Sequence, residues 1–202
     1  MASTDPLLNP FTLKGLTLKN RVVSTPHAPA YADDGMPGER YQRYHEEKAR
    51  GGIGMTMFGG SSCVGPDSPS VFGQLDVSHD RVIPFFQRFS ERISAFDCGL
   101  ICQISHLGRR TTWNAADWLP VMAPSRVREP AHRGFPKEMD QGDINRAIGY
   151  FADAAWRCKE GGLDGVEVLI HGHLPGQFLA PDTNQRTDGY GGSFANRFRF
   201  VR

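Results

Sequence analysis

LICQISHL, residues 100–107, is a short apolar run broken by one primary amide, Gln103, and ended by an imidazole, His106. Apolar residues at successive positions over so short a run predict a parallel strand covered on both faces. Upstream, Val82, Phe85, Phe86, Phe89, Ile93 and Phe96 share one helical face after an Asp-rich approach, predicting a helix over residues 79–96. Further back, IGMTMF at 53–58 repeats the strand pattern and is interrupted by Gly59-Gly60-Ser61-Ser62. PGERYQRYHEEKARGG at 37–52 starts on a Pro and stops on paired Gly, which predicts a helix carrying His45 on its exposed side. LKNRVVSTPH, before it, reads as a strand through Val22 and Val23 whose pairing Pro26 ends.

Downstream, residues 111–139 are rich in Pro and Arg, follow neither period and exceed an ordinary connection, as functional loops often do. Helical spacing returns with Ile144, Ala147, Ile148, Phe151, Ala155 and Trp156 over residues 142–162. The strand GVEVLI follows at 165–170, and SFANRFRFVR begins a fourth helix inside which the chain stops. Strands and helices thus alternate four times, predicting a parallel sheet with right-handed crossovers, either doubly wound or a barrel. The G-x-G-x-x-G and G-x-x-x-x-G-K-[ST] phosphate loops are both absent from the sequence, which disfavours a dinucleotide or P-loop crevice.

Lys plus Arg number 23 against 22 Asp plus Glu, so no basic field recruits nucleic acid or anionic lipid, and a small molecule is the expected partner. The absence of a long apolar run or a signal-type N-terminus predicts a cytoplasmic protein without membrane association. Cys63, Cys98, Cys102 and Cys158 lack a C-x-x-C pair, so reduced, buried thiols are expected and no metal site. The 202 residues suit one domain, residues 1–202.

Ligands of parallel α/β folds gather where strands end. Four such places stand out: Thr25-Pro26-His27-Ala28, Gly59-Gly60-Ser61, Gln103 through His106, and His171-Gly172-His173. The Gln103 amide can donate and accept together, which suits the imide edge of a heteroaromatic ring, or it is satisfied by neighbouring backbone. The paired glycines either admit a planar ligand or make a turn. His106, His171 and His173 are candidates for substrate hydrogen bonding or are structural. Arg109 and Arg110 could take a phosphate or carboxylate, or lie on a solvated loop. Residues 182–192 read as a turn in which Arg186 and Asp188 pair.

NRVVSTPH, CQISHLGRR, the Ala123-Pro124-Ser125 triplet and GLDGVEVLIHGHLPGQFLAPDTNQRTDGYGGSFANRFRF together resemble the Old Yellow Enzyme family of FMN oxidoreductases. Within it, PHAPAYADDGMP, GGSSCVGPDSP and VREPAHRGFPKE resemble the branch of trimethylamine dehydrogenase, 2,4-dienoyl-CoA reductase and, most closely, N-methylproline demethylases. The resemblance implies the N-terminal half, about four β/α units, of an FMN-binding TIM (β/α)₈ barrel. It places Thr25, Pro26, His27, Ala28 and Gly60 beside the flavin and Gln103 on its pyrimidine side. It matches His171 to the second member of the family's substrate-binding pair, which makes it the candidate catalytic and substrate-orienting histidine; Tyr31 and His173 are further candidates for substrate binding. The family's first substrate-binding donor falls here at Val168, and Ala28 stands where many relatives carry Cys or Thr.

The activity so implied is oxidative N-demethylation of an N-methylated amino acid or amine: hydride passes from the N-methyl carbon to the flavin, and the resulting iminium takes up water to release the demethylated amine and formaldehyde. The alternatives are NAD(P)H-dependent ene or dienoyl-CoA reduction and, from another class, an inactive half barrel that self-associates. An iron–sulphur cluster and an FAD or NAD(P)H site are implied only for a C-terminal part, and a homo-oligomer is expected.

Overall fold

The structure is a computed structural model that describes residues 4–68, 70–111, 120–131 and 133–202. An antiparallel hairpin, β1 (Phe11–Leu13) and β2 (Leu16–Leu18), precedes β3 (Val23–Ser24), α1 (Glu39–Arg50), β4 (Met55–Cys63), α2 (Ile83–Ser94) and β5 (Gly99–Ser105). Two short strands follow, β6 (Met122–Ala123) and β7 (Lys137–Glu138), then α3 (Gln141–Glu160), β8 (Gly165–Val168), α4 (Leu174–Leu179) and α5 (Phe194–Phe198). The sheet runs β3-β4-β5-β8 and every pairing in it is parallel. Sequential order with a helix at each crossover is the pattern of a barrel wall, not of a doubly wound sheet, whose order reverses at its centre.

Side chains alternate across this wall. On the helix side, Phe58, Leu100, Cys102 and Ile104 pack with Tyr41 from α1 and Phe86, Phe89 and Ile93 from α2. The Phe58 and Phe89 rings lie 4.9 Å apart and Phe58 and Phe86 5.6 Å, tilted or edge-on as aromatic quadrupoles prefer. On the inner side, Met55, Met57 and Ile101 pack on Leu18. The hairpin, unforeseen in the sequence, therefore closes the amino-terminal end of the wall. It turns at Lys14, whose φ is 52°.

Helix ends follow local chemistry. Asp140 and Asp143 form a reciprocal capping box on α3, each side chain accepting the other's backbone N–H at 2.9 and 3.1 Å. α1 lacks a side-chain cap, but Gln42 Nε2 donates to the Pro37 carbonyl at 2.8 Å just ahead of the helix. Arg92 of α2 reaches Glu39 and Glu46 of α1 at 2.7 and 3.0 Å, joining the two helices at the surface. All four cysteines are free and buried, as expected. Among the described residues, no helix is long and apolar enough to cross a membrane.

Four expectations need correction. Gly59 and Gly60 do not end their strand; β4 continues through them to Cys63 with a register shift against β5 between Phe58 and Ser62. His45 is wholly buried, because positions 41, 45 and 49 form the sheet-facing stripe of α1; it stacks on Tyr41 and hydrogen bonds Thr56 Oγ1 at 2.8 Å. Ile148 and Trp156 lie on the exposed side of α3, whose buried stripe is Ile144, Ala147, Ala154 and Cys158. The long segment before α3 contains β6 and β7, paired in parallel, and residues 112–119 and 132 of it lie outside the described residues.

Phe89→Ala removes the ring at the centre of the aromatic cluster and is expected to cost about 3–5 kcal/mol in urea unfolding. A second measurement concerns His45, whose pKa is lowered to about 3 by burial and then by the Lys48 and His27 charges. An unfolded histidine takes its proton near pH ~6.5, so acid favours the unfolded chain. The stability of the neutral buried ring is whole above that pH and is lost progressively as pH falls toward 3. Denaturation curves from about pH 8 to 4 are expected to show this decline, with His45→Phe flattening it.

Candidate functional site

β3 leads directly into Thr25-Pro26-His27-Ala28, which cross the carboxyl end of β4. They come so close that a Cβ on Gly60 would collide with the His27 and Ala28 backbone, and one on Gly59 with Ser62 Oγ and the Gln103 backbone. Gly59, Gly60 and Ser61 have φ of 103°, 50° and 73°, three successive left-handed residues inside a strand. The glycines are therefore required first by chain-on-chain packing. Their turn also aims the Ser61 N–H at Gln103.

Gln103 is 6% exposed and faces the inner side of the wall. Its Oε1 accepts the Ser61 N–H at 2.9 Å, and its Nε2 donates to Glu167 Oε1 at 2.5 Å. Glu167 stands opposite it in the β5–β8 register. A backbone donor on one side and a carboxylate on the other fix which way the amide points. Each amide atom still has capacity left, one hydrogen on Nε2 and one lone pair on Oε1. Pro26, His27, Ala28, Gly60 and Gln103 share a cavity of about 450 Å³ with Phe72, Gln74, Arg110 and His173. Thr25, exposed, precedes the lining residues. Tyr31 packs edge-on to Tyr44 with the Arg40 guanidinium 3.8 Å from its ring centre, and Tyr44 in turn hydrogen bonds His27 Nε2 at 2.8 Å.

The histidines separate by environment. His173 is buried in this cavity's wall, with Nδ1 2.9 Å from Ser105 Oγ. Burial, followed by the charges of Arg110, His171 and His106, lowers its pKa to about 4, so it is neutral near pH ~7. His171 is exposed and lines an adjoining cavity of about 600 Å³ with Arg109, Arg110, Glu129, Gln177 and Asp182. The two cavities share Arg110. β8 ends at Val168, so His171 and His173 sit in the turn entering α4 and do not alternate along a strand.

His106 joins neither cavity. Its Nδ1 accepts the Gly108 N–H at 3.0 Å, placing the ring proton on Nε2, which meets Asp67 Oδ1 at 2.9 Å. Arg146 holds the other Asp67 oxygen at 3.4 Å. Burial alone would raise the Asp67 pKa, but the His106 bond and the Arg146 charge outweigh it and hold the carboxyl below its usual range. His106 is thus a clamp between the β4 and β5 loops. Arg186 pairs with Asp188 as read, and it also donates to the Pro124 and Met139 carbonyls at 3.0 and 2.6 Å.

Ser61 and Ser105 fall inside strand-end stretches that the sequence singled out, whereas Glu167 and Gln74 were passed over. Glu167 carried a usable signal, a carboxylate within an otherwise apolar GVEV strand. Gln74 carried none; its Oε1 gathers the Val71 and Phe72 N–H groups and shapes the loop that puts Phe72 in the cavity wall.

Comparison with known proteins gives this geometry its setting. The chain is 57% identical over 99% of its length to a multifunctional alkene reductase/demethylase OYE of Caballeronia cordobensis, covering 30% of that protein. It is 52% identical over 97% to a probable N-methylproline demethylase of Rhizobium meliloti, covering 29%. It is 46% identical over 97% to an N,N-dimethylglycine/sarcosine dehydrogenase of Chromohalobacter salexigens, again covering 29%. The chain thus spans under a third of the length of these relatives. Among solved structures, morphinone reductase in complex with tetrahydroNAD superposes with a TM-score of 0.91 at 26% identity, over 98% of this chain and 58% of that one. 2-Naphthoyl-CoA reductase superposes with a TM-score of 0.87 at 27% identity, over 97% and 32%. The parallel wall is therefore part of a TIM barrel of the Old Yellow Enzyme type. Residues 6–202 match the NADH:flavin oxidoreductase / NADH oxidase family, and the chain belongs to that family.

Proposed function

We propose that the protein carrying this chain is an FMN-dependent oxidoreductase that removes N-methyl groups from an N-methylated amino acid or amine. The observation behind this reading is the cavity that joins Pro26, His27, Ala28 and Gly60 to the clamped Gln103 amide. The remaining donor and acceptor of Gln103 match the adjacent N–H and C=O groups of a flavin pyrimidine edge, so the residues present fit the cofactor. Ala28 brings no side-chain group that could tune or attach to the ring. FMN, when bound, supplies the hydride acceptor.

The chain's own groups then have distinct tasks. Gln103, fixed by Ser61 and Glu167, orients the ring edge. Neutral His173 offers a hydrogen bond without adding a charge, and His171 orients substrate from the adjoining cavity. Positioning the methyl-bearing carbon and excluding bulk water are the protein's main contributions to rate. The demethylase names of two of the relatives support this choice of substrate.

Ene reduction is the second reading, supported by the alkene reductase in the first relative's name. It is weakened at the position of the customary carbonyl donor. Val168 lies with Ile148, Phe151 and Phe200 around a separate apolar cavity, and its side chain carries no hydrogen-bond donor.

Anaerobic mixing of the FMN-loaded protein with N-methylproline, without a nicotinamide, is expected to bleach the flavin absorbance and release formaldehyde in proportion to the flavin reduced. Bleaching only by NADH, followed by reoxidation with an enone, would transfer the assignment to ene reduction. Glu167→Leu removes the acceptor that holds Gln103. It is expected to weaken FMN retention about tenfold in equilibrium dialysis, since an orphaned buried donor costs about 1–3 kcal/mol.

A further inference from the structure

We propose that Arg110 is the anchor for a substrate carboxylate, held where the flavin-side cavity meets the cavity lined by His171. The inference rests on the demethylation reading and names its substrate class: N-methylated amino acids in preference to simple methylated amines.

Arg110 is placed by a rigid local frame. Gly108 has φ of 58° and lies so close to the Gln177 amide that a Cβ would collide with it. Gln177 Oε1 accepts the Arg109 N–H at 3.1 Å, while its Nε2 donates to the Leu107 and Gly172 carbonyls at 3.0 and 3.1 Å. One buried amide thereby ties the loop after β5 to the turn before α4. The Arg110 N–H closes on the Leu107 carbonyl at 3.1 Å. Its guanidinium lies against Gly172, where a Cβ would come within 2.8 Å of Nη1. The side chain thus lies against the Gly172 backbone, and it belongs to the walls of both cavities.

Its neighbour in sequence shows the contrast. Arg109 is satisfied by the Val127 and Arg128 carbonyls at 2.9 and 3.1 Å. The Arg110 guanidinium has neither a hydrogen bond nor an ion pair with any described residue, although the side chain is half-buried. A planar fork of donors held in a cavity wall suits two carboxylate oxygens. Glu129 and Asp182 also line the larger cavity, so its charge is mixed and a dianion such as phosphate fits less well than a zwitterion carrying one carboxylate. With the carboxylate on Arg110, the methylated nitrogen a few bonds away falls toward the cavity lined by Ala28, Gly60 and Gln103.

Calorimetric titration of the FMN-loaded protein with N-methylproline and with N-methylpyrrolidine, which lacks the carboxylate, tests the assignment. Arg110→Gln is expected to weaken N-methylproline binding about tenfold or more while changing N-methylpyrrolidine by less than about twofold, and Arg110→Lys should recover part of the loss. Equal weakening of both amines, unchanged N-methylproline binding, failure of the unsubstituted protein to bind it, or loss of FMN from Arg110→Gln would each overturn the proposal. The underlying reading is judged separately by flavin bleaching. Arg110-dependent binding without bleaching keeps the anchor and removes demethylation, whereas undiminished bleaching and binding in Arg110→Gln does the reverse.

Discussion

The close passage of the Thr25–Ala28 segment over Gly60 is the constraint on which the site depends. A parallel strand offers no room for a second backbone against its face unless the side chain is absent, and here two successive glycines and a left-handed serine open that room inside β4. β4 shifts register between Phe58 and Ser62, and its pairing with β5 survives on both sides of the irregularity. The same irregularity presents the Ser61 N–H to Gln103. Chain packing and the orientation of the Gln103 amide thus derive from one local departure from regular strand structure.

Around that point the wall divides its labour by face. The helix side is dry and aromatic, built from Phe58, Phe86, Phe89 and Tyr41, and it holds the strands at fixed spacing. The inner side grades from methionine and leucine at the hairpin end to amide, carboxylate and imidazole at the other, through Ile101, Gln103, Glu167 and His173. This gradient puts polar groups where strands end and backbone N–H groups are free to turn toward a ligand. Buried clamps such as His106–Asp67 and Gln177 then fix the loops that carry the exposed residues. Rigid supports under exposed loops are what allow a loop residue such as Arg110 to occupy one place.

The wall's outer strands, β3 and β8, have a pairing partner on one side only among the described residues, and Val22, Val23, Val168 and Ile170 near them are exposed. A closed barrel removes such edges. The relatives' greater length is consistent with further barrel strands outside the stretch that this chain matches.

Periodicity and strand-end chemistry were legible without coordinates because each depends on residues near one another in sequence. The alternation of four strands with helices and the apolar face of 79–96 follow from local patterns, whereas the face of 142–162 was read with Ile148 and Trp156 on the wrong side and β4 was ended too early at Gly59. The aligned motifs extended that reading to the flavin family. What required tertiary structure was every property set by a partner distant in the chain. His45 is buried because α1 turns that face to β4, and His106 is occupied because Asp67, 39 residues away, reaches it. Gln103 is oriented by Glu167, 64 residues on, and among the described residues the Arg110 guanidinium has no partner where that of its neighbour Arg109 is satisfied. Sequence spacing records which groups exist and which face of a helix or strand they occupy. Only packing decides which of them meet, since a hydrogen bond or an ion pair is set by distances that long-range folding alone brings about.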